Sequence, residues 1–155
     1  MKVWMAGVVA LLGTGAVIAQ TLDEDMKPTP GQYESQIELL SMDIPGMPAN
    51  MMGMMKGMFE RKTKICVTAE EVEEGWKDAL RKSQDGECKY ESFSASGGQM
   101  DAVMVCNTEN GKMTMEMSGT GTSTTSDVTM KMSGNMGTGP GSMSMRVKQK
   151  RLGDC

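Results

Sequence analysis

The nineteen residues CKYESFSASGGQMDAVMVC, from Cys88 to Cys106, read as a β-hairpin closed by a disulfide. Folding them about Gly97, with Ser96-Gly97-Gly98 as the turn, sets Tyr90 opposite Met104, Ser92 opposite Ala102 and Cys88 opposite Cys106. Directly opposed residues of an antiparallel pair hold their Cβ atoms about 4.5 to 5.5 Å apart, which is within the reach of a disulfide. The register therefore predicts a bond between Cys88 and Cys106.

The same alternation continues on the C-terminal side. Asn110-Gly111 is a strong two-residue hairpin signal, and as the turn it sets Met115 against Cys106 and Met117 against Met104. Period-two patterning persists through Met113–Met117, Val128–Met132 and Met143–Val147, separated by Gly/Thr/Ser-rich turns at 119–123 and 134–141. Side chains two apart share a face. The expected inner face comprises Tyr90, Met100, Met104, Met113, Met115, Met117, Val128, Met130, Met132, Met143, Met145 and Val147.

On the N-terminal side, Thr68-Ala69-Glu70-Glu71 fits a capping box, followed by Val72, Trp76, Ala79 and Leu80 at helical spacing. A helix over 68–82 is predicted. Phe59–Val67 reads as a strand carrying Cys66, and Gln32–Leu39 as a strand with Tyr33, Ile37 and Leu39 on its buried side. Between them, residues 45–58 hold Pro45, Pro48, Gly46, Gly53 and Gly57 and read as a Met-rich loop or frayed helical turn. The predicted fold is mainly β (α+β): a curved antiparallel sheet or incomplete barrel of about seven strands, disulfide-braced, with one inserted helix.

Residues 1–19 have the pattern of a signal peptide: Lys2, an apolar run through Val8–Leu12, and Val17-Ile18-Ala19 before Gln20. Removing them leaves 136 residues of formal charge −5 from a chain of 155 and −4. Residues 20–30 form a polar leader, and 31–155 a single antiparallel β domain. No transmembrane segment is expected after cleavage. Four cysteines then enter an oxidising compartment, and with Cys88 bonded to Cys106 the remaining pair, by elimination, is Cys66 with Cys155. A periplasmic or secreted location follows.

Mild acidity and 4% aromatic content argue against a nucleic-acid partner. The chain has no histidine and no Cys-x-x-Cys, so common general-base and thiol-redox chemistries lose their residues; no catalytic residue is assigned and no enzyme is expected. Methionine is the anomaly, at 20 residues, 18 of them after the signal. In the strands it suits a core, since its unbranched side chain fills irregular space. In the 45–58 segment, Met47, Met51, Met52, Met54, Met55 and Met58 have no evident sheet face. Three readings are open there: a flap over one end of the sheet, an adaptable surface for a lipid or envelope protein, or a thioether site for Cu(I) as cofactor. A methionine oxidant sink is a further alternative. Arg146, Lys148 and Lys150 read as outward cations of a terminal strand, guarding its edge or meeting anionic head groups.

Pro30-Gly31-Gln32-Tyr33, Ile44-Pro45-Gly46-Met47-Pro48, Cys66-Val67-Thr68-Ala69-Glu70-Glu71-Val72, the later Cys88 and Cys106, and Arg151-Leu152-Gly153-Asp154-Cys155 resemble a bacterial secreted family, the domain of unknown function 3617 family. The resemblance spans nearly the whole mature chain, although Tyr33 stands where that family often has Trp. It implies a Gram-negative envelope setting and carries no activity. The expected function is that of a non-enzymatic envelope protein that binds or shields an apolar ligand or an envelope partner.

Overall fold

The computed structural model describes residues 21–74, 87–136 and 139–155. The signal-peptide reading and the part of the predicted 68–82 helix beyond residue 74, with Trp76, Ala79 and Leu80, lie outside these. The strands are β1 (Thr21–Leu22), β2 (Gly31–Asp43), β3 (Lys62–Val67), β4 (Glu87–Ser96), β5 (Gln99–Thr108), β6 (Gly111–Gly121), β7 (Thr125–Asn135) and β8 (Pro140–Gly153). They form one unclosed sheet in the order β1-β4-β5-β6-β7-β8-β2-β3. Seven run antiparallel; β1 adds two residues parallel to β4. The helices are α1 (Ala49–Phe59) and α2 (Ala69–Glu73).

In the β4–β5 hairpin Cys88 faces Cys106 and Tyr90 faces Met104, but Ser92 faces Val103 rather than Ala102. The turn is the two-residue Gly97-Gly98, closed by Ser96 and Gln99, with both φ values positive at 59° and 77°. Such a turn needs left-handed backbone at both central positions, which glycine adopts without penalty. It moves the pairing by one residue near the turn, and a bulge between Tyr90 and Ser92 moves it back. The bulge also switches which residues point inward, so Phe93 and Ala95 are buried at 2% and 0% exposure.

The next turn departs from expectation by two residues. Met104 faces Met115 and Cys106 faces Met113, because Thr108 closes the loop against Gly111. A two-residue Asn-Gly turn requires positive φ at both positions. Only Gly111 has it here, at 112°, and none of the described non-glycine residues does. A shift of two keeps every side chain on its intended face.

Continuous cross-strand rows result. Tyr90, Met104, Met115, Met132, Met143 and Met42 stand side by side across six strands, and beside them run Phe93, Ala102, Met117, Met130, Met145 and Leu39. Met26, from a 3₁₀ turn in the leader, joins the core formed by β4 to β7.

β8 is not a terminal strand of the sheet. It lies between β7 and β2, so its outward cations meet acids on both neighbours: Glu38 opposes Arg146, Glu34 opposes Lys150 and Asp127 opposes Lys148. The chain's last strand joins the sheet's middle because β2 pairs with it along eleven positions, overturning the edge-guard reading. Asp127 accepts both Arg146 Nε and Nη2, at 2.7 and 2.6 Å. These hydrogen bonds hold the Asp127 carboxyl below its usual range. A carboxylate depressed in the folded state stabilises above its unfolded value, about 3.9 for Asp, and that stabilisation is lost as pH falls through the folded value. Asp127→Asn is therefore expected to lower the urea midpoint at neutral pH, with the difference from wild type closing in acid.

The capping box at α2 is present. Thr68 N–H donates to Glu71 Oε2 at 2.7 Å and Glu71 N–H to Thr68 Oγ1 at 3.2 Å. Both disulfides are present, with Cα separations of 4.0 Å for Cys88–Cys106 and 5.8 Å for Cys66–Cys155. Gly153, Gln32 and Cys66 are successive neighbours across β8, β2 and β3, so the second bond staples the chain end over the start of β2. A Cβ on Gly31 would strike Gly153 O and the Arg151 guanidinium, which itself donates to Pro30 O at 3.0 Å.

Candidate functional site

The Met-rich segment is a helix, not a loop. Pro48 occupies the N-cap position, where a missing N–H costs nothing, and methionine is a good helix former. Gly53 and Gly57 lie where an added Cβ would meet nothing. α1 contacts β2 and begins β3 at its C-terminal end. Among the described residues β3 pairs only with Gly31–Gln36, and α1 packs against β2.

Only Met55 and Phe59 of the described α1 side chains are half-buried. Met54 and Met58 are 71% and 62% exposed, Met51 46% and Met52 39%. At 100° per residue, Met51, Met54, Met55 and Met58 stand together at spacings of three and four. Met52 neighbours Met55 but not the other three, and Met47 lies before the helix, in a turn where its N–H donates to Ile44 O. Of the six candidate thioethers, the helix thus brings four together. Brief treatment with dilute hydrogen peroxide is expected to oxidise Met54 and Met58 first and Met104, at 1% exposure, last, as read by peptide mass mapping.

A second apolar surface lies on the sheet's inner face. On β4, β5 and β6 the rows are closed: Phe93, Ala95, Met100, Ala102, Met104, Met115 and Met117 are all buried. Toward β8 they open, and Met130, Met132, Met143, Met145, Val147 and Ile37 are half-buried. Register joins them, because Met130 opposes Met145, Met132 opposes Met143, and Val147 lies between Val128 and Ile37.

One step further along the strands the face becomes polar. Ser126, Gln149 and Ser35 are neighbours there, with Ser126 Oγ donating to Gln149 Oε1 at 3.2 Å. A hollow of about 260 Å³ opens beside Gly121, Thr122, Thr125 and Ser126. Just beyond, Tyr33 Oη bonds Thr29 O and Ser123 O at 2.7 and 3.0 Å. Burial raises the Tyr33 phenol above its usual value despite the opposing pull of Arg151. This polar end was not singled out from sequence, although Ser126 and Gln149 continue the same alternation.

Among the described residues no three His, Cys, Asp or Glu side chains gather where they could hold a metal ion, and no helix is long and apolar enough to cross a membrane. No curated protein and no solved structure matches the chain. Residues 28–155 match the family described as protein of unknown function (DUF3617). That match takes in both disulfides, the capped α2 and the corner where Pro30-Gly31 meets Arg151–Cys155, and the chain belongs to this family.

Proposed function

We propose that this is a non-enzymatic, exported envelope protein that holds the apolar chain of a single-chain amphiphile on the inner face of its sheet. The observation that carries the reading is the half-buried stripe of Met130, Met132, Met143, Met145, Val147 and Ile37, which is apolar along its length and polar at one end. An acyl chain laid along it would gain about 0.8 kcal/mol for each methylene removed from water. Unbranched thioether side chains adjust to a flexible chain more readily than branched ones do. The hydroxyl of Ser126, which lines the hollow, and the amide of its partner Gln149 suit a polar head. Export is supported by two disulfides with no free thiol among the described cysteines, and by the signal-like N-terminal residues.

The test is titration of the oxidised protein with the fluorescent fatty acid cis-parinaric acid. Saturable binding is expected, weakened about tenfold, or 1.4 kcal/mol, by Met145→Gln and unchanged by Met54→Gln. Absence of saturable binding, or equal loss in both variants, rejects the reading.

A further inference from the structure

We infer that one face of α1 is a binding site for a single soft monovalent cation, Cu(I), held by the thioethers of Met51, Met54, Met55 and Met58. The site shares no residue with the stripe on the sheet's inner face and does not depend on the reading above.

Residues three and four apart on a helix have Cβ atoms about 5 to 6 Å apart. A methionine side chain is long and unbranched enough for three or four such sulfurs to turn toward one point between them. Met51 and Met55, Met54 and Met58, Met51 and Met54, and Met55 and Met58 all have this spacing. Three of the four are well exposed, so an ion reaches the face without any opening of the fold.

The surroundings sharpen the chemistry. No carboxylate shares this face. Glu60, just past the helix, is engaged with Lys56 at 3.6 Å, and Lys56 points from the opposite side of the helix. Thioethers are soft, neutral donors that suit Cu(I) and offer little to Mg²⁺, Ca²⁺ or Zn²⁺. All described cysteines are bonded, so no thiolate competes for the ion. Exposing Met51, Met54 and Met58 on one helix face beside the half-buried Met55, while glycines occupy the other, is an unfavourable arrangement for a helix that only packs against β2. A sulfur-binding role accounts for it. Binding is ligation alone: the ion enters and leaves as Cu(I), with no change of oxidation state.

The experiment is an anaerobic titration of the oxidised, metal-free protein with Cu(I) against a competing chromogenic chelator, with helix content and disulfides verified on every sample. One Cu(I) per chain is expected. Replacing Met51, Met54, Met55 and Met58 by Leu keeps bulk and hydrophobicity but removes sulfur. It should weaken binding by more than about 100-fold, beyond the roughly 10- to 100-fold that outer-shell changes alone cost. The pair Met54→Leu and Met58→Leu, changed at the two most exposed positions, serves if the fourfold variant loses structure, and should weaken binding at least about tenfold. Met143→Leu with Met145→Leu should leave Cu(I) binding intact. No Cu(I) uptake by the wild type, or unaltered uptake after removal of the α1 sulfurs, overturns the site. Parinaric-acid binding by the α1 variants reports separately on the inner face, so each reading fails on its own measurement.

Discussion

Replacing Cys66 and Cys155 together by Ala is expected to lower the free energy of unfolding by about 4 kcal/mol, measured by urea denaturation of the oxidised proteins. The bond closes a separation of 89 residues, and chain-entropy arguments place such a loop between the roughly 3 kcal/mol of a 15-residue loop and the roughly 4.7 kcal/mol of a 100-residue one. Stability of small domains totals only about 5 to 15 kcal/mol, so a loss of this size leaves the variant marginal. The damage should be local as well as global. β3 pairs with β2 alone, and the bond ties it to the chain end where Arg151 grips Pro30 O and Asp154. Hydrogen exchange should therefore rise first in β3 and in the start of β2. Uniform exchange across the sheet would show that the staple acts only through the unfolded chain.

Met104→Ala is expected to cost about 2 to 5 kcal/mol, the range for emptying a buried Met-sized site. Met104 is 1% exposed and sits between Tyr90 and Met115, where the methionine row meets β4. Met104→Leu should cost less than about 1.5 kcal/mol, because volume is nearly conserved. Met54→Ala on α1 should change stability by no more than about 0.5 kcal/mol. Thermal or urea unfolding of the three variants separates a packing role for strand methionines from any role of sulfur. A large loss in Met104→Leu would mean that the thioether itself is needed in the core.

Much of the sheet was legible because period-two alternation is a local property. Met113–Met117, Val128–Met132 and Met143–Val147 each declare a buried side without reference to any other strand. The capping box at Thr68 was legible for the same reason. What failed was what depends on one or two backbone angles: the bulge after Tyr90 and the choice of Gly111, not Asn110-Gly111, as the left-handed position. Residues 45–58 read locally as a loop or frayed turn because glycines weaken a helix and prolines punctuate one, whereas Pro48 stands at the N-cap of α1 and Pro45 precedes it, and Gly53 and Gly57 are carried within the helix. α1 also gains contact with β2 that no local pattern records.

The sequence by itself determined the antiparallel strands, the inward faces of β5 to β8, the pairing of Cys88 with Cys106 and the family, since all of these rest on alternation, turn residues and short motifs. Tertiary structure decided the rest. Placing the last strand between β7 and β2 turned its cations into partners of Glu34, Glu38 and Asp127 and aligned methionines from five strands into rows. Winding residues 49–59 into a helix put four thioethers on one face. Strand order and helix winding emerge from many weak contacts between residues distant in the chain, and spacing along the sequence carries no trace of which strand a given strand will meet.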